Sequence, residues 1–524
     1  MARSLYAMLH RRFGVRSADE RVRRARLMDE RAPRFVPPAV ADRSALPLAG
    51  KKVAVIGAGL AGLAAALELV ERWGATVEVY EARKRTSGRV YSLEDIVPGR
   101  VTEAGAELIG LNHRKWIELA HRFGLGLSSL TPEDDYAAQG LEMRISLEKG
   151  KVLTAAELKE LYDEMDGVLH RITEESYVVT DTNQPWKAYR ADYLDNLSVE
   201  QWLDQLVPKP SSRCVAALRV MLENDNVAPL SEQSYLGLLA LVAGGGHDAY
   251  WTDSEVFRCE NGNESLTVRL RESIENSATG SIRTSAPVTA LDVRAGGSVL
   301  VHSAAGKLSY DYAVLAIPPS TWPQLPVTPK IPAEMTMSTG PAVKYLLPVK
   351  ERFWIQKKYA PSGASTSMGQ VWESTDNQMV VSGQGIGLNI FAGGATAQQA
   401  IDWALKHGEN QMAEYYNPLL EELYGEDFPS FVAGTGKFMG WPWDNWTRCG
   451  YSCPRPGQVC TVGPFLNEMY EKRLAFAGEH TCMAFFGYME GALQSGYRAA
   501  ERIATAAGVV KLGALEGVAA TPGA

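Results

Sequence analysis

"KKVAVIGAGLAGLAAALELVERWGATVEVYEAR" runs from Lys51 to Arg83. Lys52 to Ile56 is a continuous apolar run of the kind found in the middle of a parallel sheet. Gly57-x-Gly59-x-x-Gly62 follows it and opens a helix expected over Leu63 to Arg72. A second strand, "ATVEVYE", ends at Glu81, 19 residues after the last glycine. Glycine spacing alone is a weak signal, but strand, turn, helix and acid in register form a dinucleotide-binding unit. The glycines permit a tight turn and close backbone approach to a pyrophosphate at the positive end of the helix. The candidate cofactor residues here are Gly57, Ala58, Gly59, Leu60, Ala61 and Gly62. Glu81, with Ala82 and Arg83 beside it, would face the ribose hydroxyls.

A similar beginning recurs near the other end of the chain. In "FAGEHTCMAFFGYMEGALQSGYRAA" (Phe476 to Ala500) a strand-like run stops at Gly478-Glu479-His480, and a helix starts after Gly487. Both stretches are read as gripping one long ligand. No second G-x-G-x-x-G occurs in strand–turn–helix context: "AGGGHD" (243–248) and "SGQGIGLN" (382–389) have the wrong spacing. One dinucleotide is therefore expected, with electrons coming from the substrate and leaving to a small acceptor.

The 524 residues suffice for two or three domains, and 46% apolar with 22% charged residues is ordinary for a globular protein. A net charge of −8 argues against nucleic acid as a partner. No apolar run has membrane-spanning length, and "MARSLYAMLHRRFGVRSADE" lacks the apolar core of a secretory signal. No membrane contact and a cytoplasmic location are expected. Six cysteines make no disulfide framework, and Cys449, Cys453 and Cys460 fit no common zinc spacing, so no metal is expected.

Residues 1–34 hold ten arginines against four acids, a net +6 that leaves −14 on the remainder. Leu5, Met8, Leu9 and Phe13 fall at helical spacing. This reads either as a solvated helix or as an arm docked on the chain's own acidic body or on a second subunit. A homo-oligomer, dimer or higher, is expected. "RFVPPAVADRSALPLAG" is an extended connector. From about 150 to 240 the chain turns helical, with capping boxes at Thr154-x-x-Glu157 and Ser198-x-x-Gln201. Leu158, Leu161, Met165 and Val168 repeat on one helix face. Asn224, Asp225 and Asn226 read as a helix end and turn. Strand signals return from about 282, including "DYAVLAIPP" (Asp311 to Pro319).

The fold expected is mixed α/β: a Rossmann-like dinucleotide domain, a mixed-sheet substrate domain and a helical insert. The boundaries read as 1–48 for the arm and linker, and 49–110, 256–318 and 440–508 for the discontinuous dinucleotide domain. The substrate domain takes 111–130 and 319–439, the helical domain 131–255, and a frayed tail 509–524.

Six ordered segments resemble the flavin-containing amine oxidase family, which includes monoamine, polyamine and L-amino-acid oxidases. They are "EARKRTSGRV" (81–90), "EAGAELIG" (103–110), "FRCENGNESL" (257–266), "VKYLLPVKERFW" (343–354), "WPWDNWTRCGYSCPRPG" (441–457) and the glycine-led segment beginning at Phe476. The resemblance runs from about 50 to 505. It implies FAD and an amine or amino-acid substrate. Hydride passes to flavin N5, and O2 reoxidises the flavin with release of hydrogen peroxide. It places Arg89 over the phosphates and ring edge and Val288 at the adenine, and it counts Gly88, Ala106 and Glu107 among the cofactor-binding residues. Gly478 and Glu479 would meet the ribityl–pyrophosphate part, and Gly487, Tyr488 and Met489 the pyrimidine end, where a helix N-terminus stabilises an anionic flavin. Ser87 departs from the family's usual glycine.

Lys344, in "PAVKYLLPV", matches the family lysine that holds a water against N5 and assists reoxidation; the alternative is a surface lysine on an edge strand. Tyr451 and Tyr488 match two aromatic positions flanking the substrate nitrogen. The slot of the cysteine that bonds flavin covalently in some relatives is Gly450, with Cys449 one residue early, so non-covalent FAD is expected. His247 reads as a loop histidine or a base.

The arginine-rich extension and helical insert lean towards an L-amino-acid oxidase, giving a 2-oxo acid and ammonia, with a monoamine or polyamine oxidase giving an aldehyde as the alternative. A decarboxylating monooxygenase and a non-catalytic scaffold are weaker readings. Against the amino-acid reading, Leu108 stands where several such enzymes carry a carboxylate-binding arginine. Arg114, Arg258 or Arg448 could supply that clamp, or Glu107 could attract a second ammonium. Trp372 and Trp441 are candidates for the pocket wall or the core.

Overall fold

Lys52–Ile56 is the central strand of a five-stranded, all-parallel sheet in the computed structural model, which describes residues 3–14, 46–294, 297–378 and 385–508. Tyr312–Leu315 and Thr76–Tyr80 flank it, with Leu474–Phe476 and Gly280–Arg283 at the edges. Val53, Ala54 and Val55 are wholly buried, as a strand covered on both faces must be. The first helix is Leu60–Glu71, starting three residues earlier than its apolar pattern suggests. The Leu63 N–H already bonds the Gly59 carbonyl at 2.9 Å, which puts Gly62 inside the first turn. Helix Met489–Ala506 packs directly on it. A Cβ at Gly496 would sit 2.3 Å from the Ala61 carbonyl oxygen, so the two backbones touch there. Strands 288–293, 299–303 and 306–310, with 327–328, form a four-stranded sheet alongside.

The second body is a seven-stranded mixed sheet. Ala342–Val349 is buried along its whole length between Ile386–Gly393 and Lys437–Gly440, both antiparallel to it. Its far edge differs from expectation. Glu142–Glu148 and Lys151–Val152, assigned above to the helical part, are strands, and the first pairs in parallel with Tyr359–Ser365. Met143, Ile145 and Leu147 are the buried positions, an alternation of period two that marks a strand.

Helices follow from Ala155. Thr154 and Glu157 close a capping box on Ala155–Ser176, and Leu158, Leu161, Met165 and Val168 are buried along one face. Ser198 and Gln201 close another, and Asn226 caps Ser212–Asp225. The amino-terminal pattern is a helix, Leu5–Phe13, and it docks on its own chain. Leu5, Met8 and Leu9 are buried against the helical part, and Arg12 pairs with Glu133 at 2.7 Å. Most of the connector and the 509–524 tail lie outside the described residues.

Candidate functional site

Both glycine turns open onto one cavity of about 760 Å³. Leu108, Lys344, Trp372, Trp441, Tyr451 and Tyr488 line it, as do the residues expected to hold the dinucleotide, all but Ala58 and Gly62. Those two lie beneath the turn: a Cβ on Gly62 would fall 1.9 Å from the Gly57 carbonyl oxygen. Around Gly59, in contrast, space is open, with no atom within 4 Å of where a Cβ would stand.

One group of wall residues surrounds Glu81. Its Oε2 accepts the Ala58 N–H at 2.9 Å and its Oε1 accepts the Arg83 N–H at 2.8 Å, tying the strand end to the glycine turn. The Arg83 guanidinium reaches Thr447 Oγ1 at 2.7 Å and also pairs with Asp444. Ala286 N–H bonds the Glu81 carbonyl, which brings Val288 to the same wall.

A second group centres on Glu479. This buried carboxylate accepts from Arg89 Nη1 at 2.9 Å and from the Gly487 N–H at 2.7 Å, and it also holds Ser452. Burial opposes its ionisation, yet Arg89 and these donors keep its pKa below the usual range. Glu479 thus fastens the second glycine turn to Arg89. Ser87, beside it, adopts φ +83°, the left-handed backbone expected of the glycine it replaces, and its hydroxyl bonds Glu264 at 2.8 Å. His480 is wholly buried on the cavity wall, and neither ring nitrogen has a hydrogen-bond partner among the described residues. Burial lowers its pKa to about 4, so the ring is neutral. Open space at a glycine turn, two helix beginnings, two arginines and an imidazole with vacant hydrogen-bonding capacity fit a dinucleotide carrying two phosphates.

The third group is built on Glu107. Lys344 Nζ donates to Oε2 at 2.8 Å and to the Glu103 carbonyl at 3.0 Å, so Lys344 is a buried, paired residue of a central strand. Arg258 Nε at 2.8 Å and the Trp372 indole at 3.0 Å reach Oε1, and Asn389 reaches Oε2 at 3.3 Å. Burial alone would raise the carboxyl, but Lys344 and Arg258 outweigh it and hold it at about 2. Glu107 is saturated, which removes it as a seat for a substrate ammonium. Arg258 is buried between Glu107 and Asp376, which removes it as a carboxylate clamp. Arg114 does not line the cavity. Arg448 does, exposed and bonded to the Asn445 carbonyl at 3.2 Å.

Around Tyr451 and Tyr488 the wall is aromatic and acidic. Gly487 has φ +81°, and a Cβ there would meet the Tyr451 ring at 2.9 Å, so this glycine makes room for the ring. The Tyr451 hydroxyl donates to the carbonyls of Asn224 and Asp225 at 3.2 and 3.1 Å, and Tyr488 contacts Tyr250 through the hydroxyls at 3.4 Å. Trp372 and Trp441 are buried wall residues. Asp225 and Glu255 also line the cavity here, and neither is marked as a site residue by the sequence. "NDN" reads only as a turn, and Glu255 carries no motif. Gln370 is 3.4 Å from Asp225 Oδ1, while Oδ2 is buried with no hydrogen-bond partner among the described residues. Burial first pushes both carboxyls upward, joined by the charge of Glu255 at Asp225 and by that of Glu107 at Glu255.

Two other candidates fall elsewhere. His247 bonds Ser176 at 2.7 Å and stacks on Tyr177 at 3.7 Å, away from the cavity, so it is structural. Cys449 is buried off the cavity against Ser320 (3.2 Å), and burial raises its thiol pKa.

The relatives agree with this architecture. Flavin-containing amine oxidases B and A of Sus scrofa are each 25% identical, over 87% of this chain and 87% and 86% of theirs. Cyclohexylamine oxidase from Brevibacterium oxydans superposes with a TM-score of 0.72 at 23% identity, over 87% of this chain and 99% of that one. A putrescine oxidase bound to putrescine gives 0.71 at 19%, over 86% and 98%. No described helix is long and apolar enough to cross a membrane. The sequence profile for flavin containing amine oxidoreductase matches residues 60–504. The chain therefore belongs to that family and is an FAD-dependent amine oxidoreductase.

Proposed function

We propose that this protein oxidises a primary amine that carries a second positive charge, such as a diamine or polyamine, giving the aldehyde, ammonia and hydrogen peroxide. The observation that carries this reading is the pair Asp225 and Glu255 beside Tyr451, on a wall whose nearby cations, Lys344 and Arg258, are already paired with Glu107. An L-amino acid, the narrower expectation from sequence, would bring its carboxylate to these two acids, where Lys344 and Arg258 are already engaged by Glu107.

FAD, held by the glycine turns, Glu81, Arg89 and Glu479, would supply the acceptor for hydride from the carbon bearing the nitrogen and the route for electrons to dioxygen. Tyr451 and Tyr488 hold the neutral amine between their rings and exclude water. Burial raises both phenol pKa values well above normal, so the hydroxyls keep their protons and serve as hydrogen-bond donors. Lys344, its proton held at Nζ by Glu107, keeps a cation at the wall that favours negative charge growing on dioxygen. Non-covalent attachment follows from Gly450 and the withdrawn Cys449; acid-denatured protein should release all its flavin.

The substrate class is tested by peroxide release from 1,4-diaminobutane, spermidine, n-butylamine and L-ornithine. Diamine or polyamine should exceed n-butylamine by tenfold or more in kcat/KM, about the 1.4 kcal/mol of one charge-assisted contact. L-Ornithine outpacing 1,4-diaminobutane would restore the amino-acid reading.

A further inference from the structure

A line of buried charges runs from the amino-terminal segment to the lysine of the site. Arg3 Nη2 is 2.7 Å from Asp376 Oδ2. Asp376 pairs on its other side with Arg258, whose Nε lies 2.8 Å from Glu107 Oε1, and Glu107 Oε2 lies 2.8 Å from Lys344 Nζ. The five side chains alternate in sign, and none is more than 7% exposed. Arg3 touches the site a second time, because its backbone N–H donates to the carboxylate of Glu255 on the cavity wall.

The apolar contacts of Leu5, Met8 and Leu9 already dock this segment, so docking alone does not call for a buried guanidinium. Each carboxylate in the line sits between two cations. Without Arg3, Asp376 would have Arg258 as its remaining side-chain cation and draw it away from Glu107. That frees the carboxylate whose other oxygen holds Lys344. We infer that Arg3 is a positioning residue for Lys344, acting through Asp376, Arg258 and Glu107, so that the amino-terminal helix belongs to the working site. This rests on the reading that Lys344 serves the reaction with oxygen.

The test uses the full-length FAD-loaded protein and its Arg3→Ala, Arg3→Lys, Leu9→Ala and Lys344→Met variants. Three quantities are read: reoxidation of reduced flavin by O2, the visible circular dichroism of oxidised flavin, and the thermal midpoint. Arg3→Ala should slow reoxidation about fivefold and change the dichroism in the direction of Lys344→Met. Arg3→Lys should recover most of both, and Leu9→Ala should lower the midpoint while leaving both near the parent. Parental reoxidation and dichroism in Arg3→Ala, or equal slowing in Leu9→Ala, would overturn the inference. If Lys344→Met itself reoxidises normally, the oxygen role of the lysine fails. The positioning link then stands or falls on whether Arg3→Ala reproduces the Lys344→Met dichroism.

Discussion

Lys344 Nζ lies 2.8 Å from Glu107 Oε2, and both side chains are buried in the cavity wall. A cation held this way keeps a fixed position when small reactants pass. Lys344→Met should slow flavin reoxidation by more than about tenfold, a loss of the size seen when one preorganised charge is removed. FAD affinity, measured by fluorescence titration, should change less than about threefold, because the Lys344 ammonium is engaged by Glu103 and Glu107, whereas the glycine turns are held by Glu81 and Glu479. A parental oxygen rate in stopped flow would remove Lys344 from the oxidative half-reaction.

Glu107 neutralises two buried cations at once. Glu107→Gln leaves Lys344 and Arg258 sharing one lost anion and should cost about 3–5 kcal/mol by urea denaturation. A loss below about 1 kcal/mol would mean that solvent or Asp376 compensates, contrary to the burial of the site.

Asp225→Asn removes, with little change in shape, a carboxyl that an incoming ammonium would hold ionised against the upward push of burial. It should raise KM for 1,4-diaminobutane by about tenfold and leave n-butylamine within about twofold, since only the diamine presents a second ammonium. Equal effects on both amines would assign Asp225 to supporting Tyr451 rather than to selecting substrate.

Glu103 is buried behind Lys344, accepting from Ser92 and from the Asn263 N–H at 2.7 Å. Burial outweighs those donors and raises its pKa to about 7 from an ordinary 4.5. The folded state therefore binds the proton more tightly than the unfolded chain, and stability falls as pH rises from 4.5 to 7. The wild type should lose about 3 kcal/mol relative to Glu103→Gln across that interval, read from denaturant midpoints. Parallel pH profiles for the two proteins would contradict this.

Gly487→Ala would place a Cβ 2.9 Å from the Tyr451 ring on a backbone with φ +81°. About 1–3 kcal/mol of stability should be lost, with KM for amines raised several-fold as the ring moves. Unchanged KM would show that Tyr451 does not border the amine.

The two glycine-led helix beginnings were legible because their spacing is a local property of backbone geometry. The lysine and the tyrosines are legible through motif resemblance, Trp372 and Trp441 only as candidates for wall or core, and all of them line one cavity. A residue whose role depends on its spatial neighbours is not legible in this way. Glu107 in "EAGAELIG" looks available for a ligand until Lys344, Arg258, Trp372 and Asn389 are seen to occupy it. Asp225 in "NDN" looks like a helix end, which it also is, and nothing near it in sequence signals Tyr451. The strand Glu142–Glu148, in which Met143, Ile145 and Leu147 alternate, is hard to see in the sequence because the strong helix of Ala155–Ser176 follows closely.

By itself, the sequence determined the parallel sheet, the dinucleotide turn, the capped helices and the family, since each depends on residues within one or two turns of each other or on ordered motifs. Only the tertiary structure decided which charges are free and which are paired. A carboxylate's role depends on the cations within about 4 Å, and folding brings those from anywhere along the chain. Arg3 and Lys344, 341 positions apart, belong to the same line of charge for that reason.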